Sequence, residues 1–173
     1  MPPRLQVSDL LHDSTNIAVI RLLRDDPRMS VSELARRVKM SAPAVRERLQ
    51  RLEEAGVLRW RVDIEPRALG FPVAAYVRVR PAPGQLSKIA ELAQRMPQVT
   101  ECHRVTGEDC FVVKIYVTAI DQLDAVLDQF LAFGQTTTSL VQSTPVPARL
   151  LPLRADLALR GAHRSTNTSL PLR

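Results

Sequence analysis

The stretch SELARRVKMSAPAVRERLQRLEEAGVLRWR, residues 32–61, decides the fold of the N-terminal part because it carries two helical patterns in close succession. In each pattern apolar residues recur every three or four positions, as on the buried face of a helix, while arginines fill many of the other positions. We therefore predict two short helices, each with an apolar and a basic face. Their apolar residues are Val31, Leu34, Ala35 and Val38, and then Val45, Leu49 and Leu52.

Capping residues set the limits of these two helices. Ser30 and Glu33 have the spacing of a capping box, in which a hydroxyl and a carboxylate three residues later stabilise a helix start. Ser41 can cap the second helix, whose first turn tolerates Pro43, and the Ala-Gly pair at 55–56 ends it. A further helix precedes both. A capped helix, a short turn and a second capped helix form a helix-turn-helix.

The segments around this motif divide the N-terminal part of the chain. Residues 1–12 are expected to be a flexible arm, and residues 13–64 a winged helix-turn-helix domain whose first helix is capped within DSTN at 13–16. The alternating sequence VLRWRVDIEP at 57–66 predicts a short strand pair or wing. Two prolines and a glycine indicate a linker over residues 65–72.

The outer face of the second helix is predicted to contact DNA. With Val45 pointing inward and about 100° per residue, Arg46 and Gln50 point outward one turn apart. Arginine suits the acceptors of guanine, and glutamine suits the edge of adenine. Arg48 lies nearer the buried flank, where we expect an ion pair with a neighbouring acid. A merely solvated helix face is the alternative, but two capped helices, a short turn and a basic wing coincide here and favour DNA.

Other residues of this region are predicted to hold the DNA backbone. Backbone N–H groups at a helix N-terminus favour phosphate, and basic side chains bind phosphates without reading the sequence. The predicted DNA-binding residues are Arg36, Arg37, Lys39, Ser41, Ala42, Pro43, Arg46, Gln50, Arg59 and Arg61.

From residue 73 the periodicity changes. VAAYVRVR at 73–80 alternates as a half-buried strand does, and the segment 123–131 has the apolar spacing of an amphipathic helix. Over residues 73–150 the patterns follow the order β-α-β-β-α-β, with two strands around Gly107, which is the ferredoxin-like plan. We therefore predict an α+β protein in which one face of the sheet is covered by two helices. The other face is either exposed or covered by a second chain.

Positive charge lies at both ends of the chain and not in its middle. The net charge of +6 divides into +3 for residues 1–70 (13 basic, 10 acidic), −1 for residues 71–147 (6 basic, 7 acidic) and +4 for residues 148–173 (5 basic, 1 acidic). Surplus positive charge favours a polyanionic partner such as DNA, RNA or an anionic membrane, with simple solubility as the alternative, and its uneven distribution indicates a division of labour along the chain. The basic tail, residues 151–173, is expected to be disordered.

Several protein classes are disfavoured by what the sequence lacks. No apolar run approaches the roughly 20 residues of a membrane span, and the N-terminus has no secretory signal. Cys102 and Cys110 form neither a metal-type pair nor a disulfide framework, so we expect a cytoplasmic location and no membrane partner. The three histidines lie far apart in sequence, and no nucleophile elbow or phosphate loop is present. We therefore predict no catalytic residue, metal ligand or cofactor.

Three stretches carry a family resemblance. SVSELARRVKMSAPAVRERLQRLEEAGVL at 30–58 resembles the helix-turn-helix of the Lrp/AsnC (feast/famine) family of bacterial and archaeal transcription regulators. VTECHRVTGEDCFVVKIYV at 99–117 and FGQTTTSLV at 133–141 resemble the ligand-sensing domain of that family. The resemblance covers about residues 13–150. It implies a sequence-specific DNA-binding transcriptional regulator that responds to a small-molecule effector, namely an amino acid or a derivative.

The resemblance also implies partners. In this family two ferredoxin-like domains pair sheet to sheet, and the resulting homodimers assemble into tetramers or octamers. Effectors bind at subunit interfaces near the glycine turn. Because a symmetric dimer presents its recognition helices in pairs, we expect pseudo-palindromic sites in double-stranded DNA.

The predicted effector site combines the resemblance with the chemistry of the residues. A glycine turn exposes backbone N–H groups, and nearby hydroxyls can hold the carboxylate of a zwitterion. The alternative is that these residues serve only a hairpin and a strand. The predicted effector-binding residues are Thr106, Gly107, Glu108, Asp109, Thr136, Thr137, Thr138 and Ser139.

The sequence departs from the family pattern at several places, among them the wing between Gly56 and Pro66, which is one residue shorter than is common, the start of the first helix, and the glycine turn. The family usually has two aspartates three residues apart where Asp13 and Asn16 stand here, a change for which we expect little consequence. Its turn usually reads Gly-x-x-Asp, whereas Cys110 occupies the aspartate position here and Asp109 precedes it. This change at the turn displaces by one residue the carboxylate that would hold an effector's amino group.

Two other functions stay open at the level of sequence. A tetrapyrrole decarboxylase-type enzyme or a DNA-independent small-molecule sensor could have the same architecture, because fold alone does not fix function. Arg46 and Gln50, beside Arg36 and Arg37, favour the regulator. A protein that had lost DNA binding would have no reason to keep these side chains exposed.

Overall fold

The computed structural model describes residues 7–153 and divides the chain into two compact units. The division falls between Arg61 and Val62, so the second unit spans Val62–Pro147. Residues 148–153, which carry no helix or strand, are grouped with the first unit. The predicted disorder of the tail concerns mainly residues 154–173, which lie outside the described residues.

The helices described in the first unit are α1 (Val7–His12), α2 (Ser14–Asp25), α3 (Val31–Val38) and α4 (Ala42–Glu54).

The core of the first unit joins α2, α3 and α4. Val19, Leu34 and Val45 supply one fully buried side chain from each of these helices and belong to the same apolar cluster. Leu49 and Leu52 are also buried on the side of α4 predicted to face inward. The apolar faces predicted for the two helices of the motif are thus confirmed. Burying side chains of this size stabilises the folded state by about 1.5–3 kcal/mol each.

Capping interactions begin α3 and α4 where the sequence predicts them. Ser30 Oγ accepts a hydrogen bond from the Glu33 N–H at 3.2 Å, and Ser41 Oγ accepts one from the Ala44 N–H at 3.4 Å. Between the helices, Lys39 adopts a left-handed conformation with φ of 55°, which ends α3 and turns the chain. The predicted helix-turn-helix is therefore confirmed.

The prediction of a flexible arm over residues 1–12 is wrong for residues 7–12, because these residues form α1. Leu10 is 7% exposed, and its carbonyl oxygen accepts a hydrogen bond from Asn16 Nδ2 at 3.0 Å. An aspartate at position 16 could not donate this bond, so the departure from the family pattern does have a structural consequence. Residues 1–6 lie outside the described part of the chain.

A polar contact ties α4 to the start of α2. Arg48 Nη1 donates hydrogen bonds to Asp13 Oδ2 at 2.5 Å and to Asn16 Oδ1 at 2.8 Å. Asp13 also caps α2, since its Oδ1 accepts from the N–H groups of Thr15 and Asn16. The ion pair expected for Arg48 is therefore confirmed, and it lowers the pKa of Asp13, with the two capping bonds acting in the same direction.

The strand pair predicted over residues 57–66 is absent from the structure, which has no strand between Ala55 and Pro72. The alternation of Trp60, Val62 and Ile64 does not produce a buried face, because all three side chains are more than half exposed. The predicted linker contains a short 3-10 turn over Pro66–Leu69. The segment that follows α4 is thus irregular.

The second unit has the predicted ferredoxin-like order of elements. Its elements are β1 (Val73–Pro81), α5 (Leu86–Arg95), β2 (Val99–Arg104), β3 (Phe111–Val117), α6 (Asp121–Leu131) and β4 (Gly134–Leu140). The four strands form an antiparallel sheet in the order β2-β3-β1-β4, in which β1 pairs with both β3 and β4. This arrangement confirms the α+β fold class.

One face of this sheet carries the core of the second unit. Val77 and Val79 of β1 and Ile115 of β3 are fully buried in a cluster with Ile89 of α5 and Phe130 of α6. Because successive strand residues point to opposite faces, the residues between them point away from the helices. The opposite face of the sheet, which we call the open face, carries side chains that are exposed or half-buried in this chain, namely Tyr76, Arg78, Arg80, Val112, Lys114, Tyr116, Thr137 and Ser139.

We expect Asp13→Asn to destabilise the first unit by about 1–2 kcal/mol at neutral pH, because it removes the charge that Arg48 binds while asparagine still caps α2. The pKa of Asp13 is lower in the folded state than in the unfolded state. Its contribution is therefore present above the unfolded pKa of about 3.9 and is lost as the pH falls through the folded pKa.

Fluorescence of Trp60, the chain's one tryptophan, reports urea unfolding of the first unit in both proteins. The difference between variant and parent should shrink from pH 7 to pH 3. Asp25→Asn is the control, since the Asp25 side chain is 71% exposed and should contribute little. Equal unfolding curves for Asp13→Asn and the parent at pH 7 would show that the Arg48 contact adds nothing to stability.

Candidate nucleic-acid interface and effector site

The outer face of α4 displays the two side chains predicted to read DNA bases. Arg46 and Gln50 are exposed, as is Pro43 in the first turn. Within the described residues, the Arg46 side chain has no hydrogen bond or ion pair, so its guanidinium donors are available. Gln50 Nε2 donates to Glu54 Oε1 at 2.8 Å. Since a carboxylate only accepts, this bond turns the Gln50 carbonyl oxygen away from Glu54.

The start of α4 and the end of α3 lie close together in sequence and structure. Ser41, the N-cap of α4, and Ala42, its first residue, precede the free N–H groups of the first turn. Lys39 is exposed in the turn before them. On α3, Arg36 and Arg37 are 75% and 52% exposed, and both bind the Glu33 carboxylate.

The two arginines after α4 lie in the irregular segment and not on a wing strand. Arg59 and Arg61 are exposed on either side of Trp60, which is 54% exposed. The indole Nε1 of Trp60 donates to Glu53 Oε1 at 2.7 Å, so this part of the segment lies against the end of α4. The predicted DNA-binding residues of the first unit thus share the helix-turn-helix or the segment directly after it.

In the second unit, the predicted acidic residues of the glycine turn contact two arginines of β1. Gly107 has a φ of +111°, which favours glycine, and Glu108 and Asp109 follow it. Arg80 pairs with the Glu108 carboxylate, and its Nε lies 3.6 Å from Asp109 Oδ1. Arg78 Nε lies 3.7 Å from Asp109 Oδ2.

Asp109 lies close to the positive charges of Arg78 and Arg80 but forms no hydrogen bond with either side chain. Both arginine contacts exceed hydrogen-bond length, and the described residues supply no other donor to this carboxylate, which is 30% exposed. The Asp109 oxygens can therefore accept from an added ammonium group. Cys110, at the position of the family's aspartate, is half-buried and packs against the apolar core instead.

The four consecutive hydroxyl residues of β4 do not lie on one face. Thr136 and Thr138 stand opposite buried valines of β1, on the side of the sheet that the helices cover. Thr137 and Ser139 lie on the open face, where Thr137 stands opposite Arg78. The four hydroxyls predicted to bind the effector are therefore divided between the two faces of the sheet, because strand residues alternate between faces. Thr106 is exposed in the loop before Gly107.

Sequence reasoning missed Arg78 and Arg80 as members of this site. Their alternation with the valines of β1 places them on the open face, and that signal was available in the sequence. Their contact with Glu108 and Asp109 depends on strand pairing, in which Val79 of β1 stands opposite Phe111 just after the turn. This register brings the two arginines to the glycine turn.

The open face also carries aromatic and charged side chains nearer its middle. Lys114 Nζ lies 3.1 Å from Glu101 Oε1, and 6.0 Å and 5.6 Å from the ring centroids of Tyr76 and Tyr116. The bond from Lys114 lowers the pKa of Glu101, despite partial burial that opposes the charge. His103 adds a further contact, with Nε2 3.5 Å from Glu101 Oε2. The middle of the face thus combines a charged cluster with two tyrosines, a residue type that is enriched at protein interfaces.

Residues 7–153 show neither a membrane-spanning helix nor a metal site. None of their helices is both long and apolar enough to cross a membrane. Nowhere do they bring together three histidine, cysteine, aspartate or glutamate side chains that could hold a metal ion.

Two family models match the chain, one on each part of the fold. Residues 12–59 match the winged helix-turn-helix DNA-binding model, and residues 74–151 match the Lrp/AsnC ligand binding domain. The first match contains α2 to α4, and the second contains nearly all of the sheet and both of its helices.

Similar proteins are named as HTH-type transcriptional regulators. LrpC of Bacillus subtilis is 26% identical over 132 residues, which cover 76% of this chain and 92% of that protein. LrpA of Mycobacterium tuberculosis is 31% identical over 119 residues, which cover 68% of this chain and 79% of that protein.

Solved structures show the same likeness. A transcriptional regulator of Neisseria meningitidis in complex with L-methionine has a TM-score of 0.73 and 25% identity, covering 83% of this chain and 97% of that one. The structure of B. subtilis LrpC has a TM-score of 0.71 and 25% identity, covering 79% and 98%.

Proposed function

This chain belongs to the Lrp/AsnC family of transcriptional regulators, and from that premise we propose which of its residues bind DNA and effector. The proposed DNA contact is made by the outer face of α4, with Arg46 and Gln50 at the base edges. One observation carries this assignment. Arg46 is exposed without a partner among the described residues, while Arg48, on the opposite side of the same helix, is held by Asp13.

The remaining predicted residues act on the DNA backbone. Arg36, Arg37, Lys39, Arg59 and Arg61 are all exposed, and arginine and lysine bind phosphates wherever these come within reach. The N-terminus of α4, at Ser41, Ala42 and Pro43, adds N–H groups that favour a phosphate oxygen. These contacts set affinity and register, whereas the outer face of α4 sets sequence preference.

We propose an amino acid, or a derivative, as the effector, and place it at the glycine turn. The support is the zwitterionic match: Asp109 has free acceptor capacity for an ammonium, and Arg78 and Arg80 can bind a carboxylate. Thr137 lies on the same face and can add a hydroxyl. The regulator of N. meningitidis that resembles this chain was solved with L-methionine, which is such a zwitterion.

We propose that the open face pairs two copies of the chain in a homodimer, and that dimers can assemble further into tetramers or octamers. The support is its content of tyrosine and of matched charges, which suits a self-complementary surface. Because the glycine turn borders this face, pairing would place the effector near the interface. A dimer would also present two copies of α4 to a pseudo-palindromic duplex.

We propose no catalytic activity. The relatives are named as transcriptional regulators, and α4 keeps Arg46 and Gln50 exposed, for which a tetrapyrrole decarboxylase of this architecture would have no use. The same exposed side chains argue against a DNA-independent sensor. The cytoplasm, where the DNA of a bacterial or archaeal cell lies, is the proposed location.

Arg46→Ala should weaken binding to a duplex recovered by in vitro selection with the parent chain by about 1–3 kcal/mol, and should relax base preference at the contacted position. Lys39→Ala, which removes an exposed cation that no carboxylate of the described residues holds, should instead weaken binding to selected and random duplexes alike, and reduce the salt slope of log K by about one. Fluorescence anisotropy over a salt series measures both. Arg95→Ala, in α5, is the control for the loss of one positive charge. If Arg46→Ala binds both duplexes as the parent does, α4 does not read the bases.

Asp109→Asn should weaken L-amino acid binding at least about tenfold, which corresponds to about 1.4 kcal/mol, because the ammonium loses its anionic acceptor. Isothermal titration calorimetry of the full chain with L-methionine, and then with the other common L-amino acids, tests this. Asp124→Asn, exposed on α6, is the control. Parent-like affinity in Asp109→Asn would remove this carboxylate from the site.

Tyr76→Glu should convert the dimer to monomer, because it replaces an aromatic ring in the middle of the open face with a charge that sheet-to-sheet pairing would have to desolvate. Light scattering coupled to gel filtration measures the mass of each form. Gln122→Glu adds the same charge on α6 and should leave the mass unchanged. A monomeric parent, or a Tyr76→Glu protein of parental mass, would contradict sheet-to-sheet pairing.

A further inference from the structure

We propose that Glu33 is a positioning residue that holds Arg36 and Arg37 in the directions needed to meet DNA phosphates. This inference rests on the proposed DNA-binding function. The capping box predicts that the Glu33 carboxylate returns to the N–H of Ser30. Within the described residues that bond is not made, and only the Ser30 hydroxyl contributes to the cap.

The Glu33 carboxylate instead binds both arginines of α3. Arg36 donates from Nε at 2.9 Å to Oε2, and from Nη2 at 2.7 Å to each carboxylate oxygen. Arg37 donates from Nε to Oε1 at 2.8 Å. Glu33 is therefore shared between two neighbouring guanidinium groups. Those bonds lower its pKa, Arg37 having the larger effect, so it is fully ionised at neutral pH.

This contact leaves both guanidinium groups able to bind a second anion. A guanidinium has five N–H donors. Arg36 uses only Nε and Nη2, and Arg37 uses only Nε, so Nη1 of each remains available. The two side chains are also 75% and 52% exposed while they are bound. A phosphate can thus accept from them without displacing Glu33.

Restricting two long side chains has a direct consequence for selectivity. A free arginine can follow a phosphate in any register, so it helps random and cognate binding equally. An arginine held in one direction meets its phosphate only when α4 lies in the register that its base contacts require. In addition, the charge of Glu33 offsets part of the attraction of the two arginines for any duplex. Both effects favour the cognate sequence over random DNA.

Glu33→Gln and Glu33→Asp test this role in the full chain. The probes are a random 30-base-pair duplex and a duplex of equal length recovered by in vitro selection with the parent. Glu33→Gln should bind the random duplex at least as tightly as the parent, while the ratio of selected to random affinity falls about three- to tenfold. Glu33→Asp keeps the charge but withdraws the carboxylate by one methylene, and should lower the same ratio. Glu91→Gln, on α5, adds the same net charge as Glu33→Gln and should keep the parental ratio.

A background that lacks both arginines separates the positioning role from a role in helix stability alone, which would persist without them. In the Arg36→Ala/Arg37→Ala background, Glu33→Gln should no longer change the ratio, because no guanidinium is left to orient. A ratio that stays parental in both Glu33 variants, or that falls equally in the double-alanine background, would overturn the inference. A parent that binds no duplex at low salt would instead overturn the DNA-binding proposal itself, so the two failures are distinguishable.

Discussion

The bond from Arg48 to Asp13 and Asn16 fixes how α4 lies in the first unit. Val45, Leu49 and Leu52 bury one stripe of this helix, but an apolar stripe allows rotation about the helix axis. A charged bond at 2.5 Å on one flank of the stripe restricts that rotation. Because Arg46 precedes Arg48 by two residues, it lies about 160° around the helix and is held outward. The DNA-facing surface thus depends on an interaction made on the other side of α4.

The arginines of the helix-turn-helix differ in how far they are paired with acidic side chains. Arg48 is used inside the fold, Arg36 and Arg37 are held by Glu33 but remain exposed, and Arg46 has no partner among the described residues. A surface of free arginines would bind any polyanion strongly. Partial pairing lowers that general attraction and leaves one cation free where base contacts would form. Positive charge and selectivity are therefore compatible on the same motif.

In the second unit the two-residue period of the strands determines on which face of the sheet each side chain lies. It buries the valines of β1 and places Arg78 and Arg80 beside the glycine turn on the open face. The same period divides the hydroxyls of β4, so Thr137 faces the arginines while Thr136 does not. Effector chemistry and subunit pairing are thus proposed for a single face. An effector bound there could act on the assembly of subunits directly.

What the sequence predicts well is encoded locally. The period of Val45 and Leu49 and the caps at Ser30 and Ser41 lie within single turns, and the helices and their inward faces followed from them. The α1 helix was missed because its six residues are too few to show a helical period, and the bond from Asn16 to the Leu10 carbonyl is not encoded by spacing. The predicted wing strands rested on the alternation of Trp60, Val62 and Ile64, whose side chains stay exposed and therefore give a strand no buried face to stabilise it. The arginine contacts of Asp109 needed the strand register, while the division of the β4 hydroxyls was predictable from alternation alone.

Docking of the outer face of α4 on a duplex is measured most directly by in vitro selection with the intact chain, followed by hydroxyl-radical footprinting of the enriched duplex. We expect one enriched motif made of two inverted half-sites, with protected segments whose centres lie about 10 base pairs, or a multiple of that spacing, apart. Selection that enriches no motif, together with no protection at low salt, would contradict it.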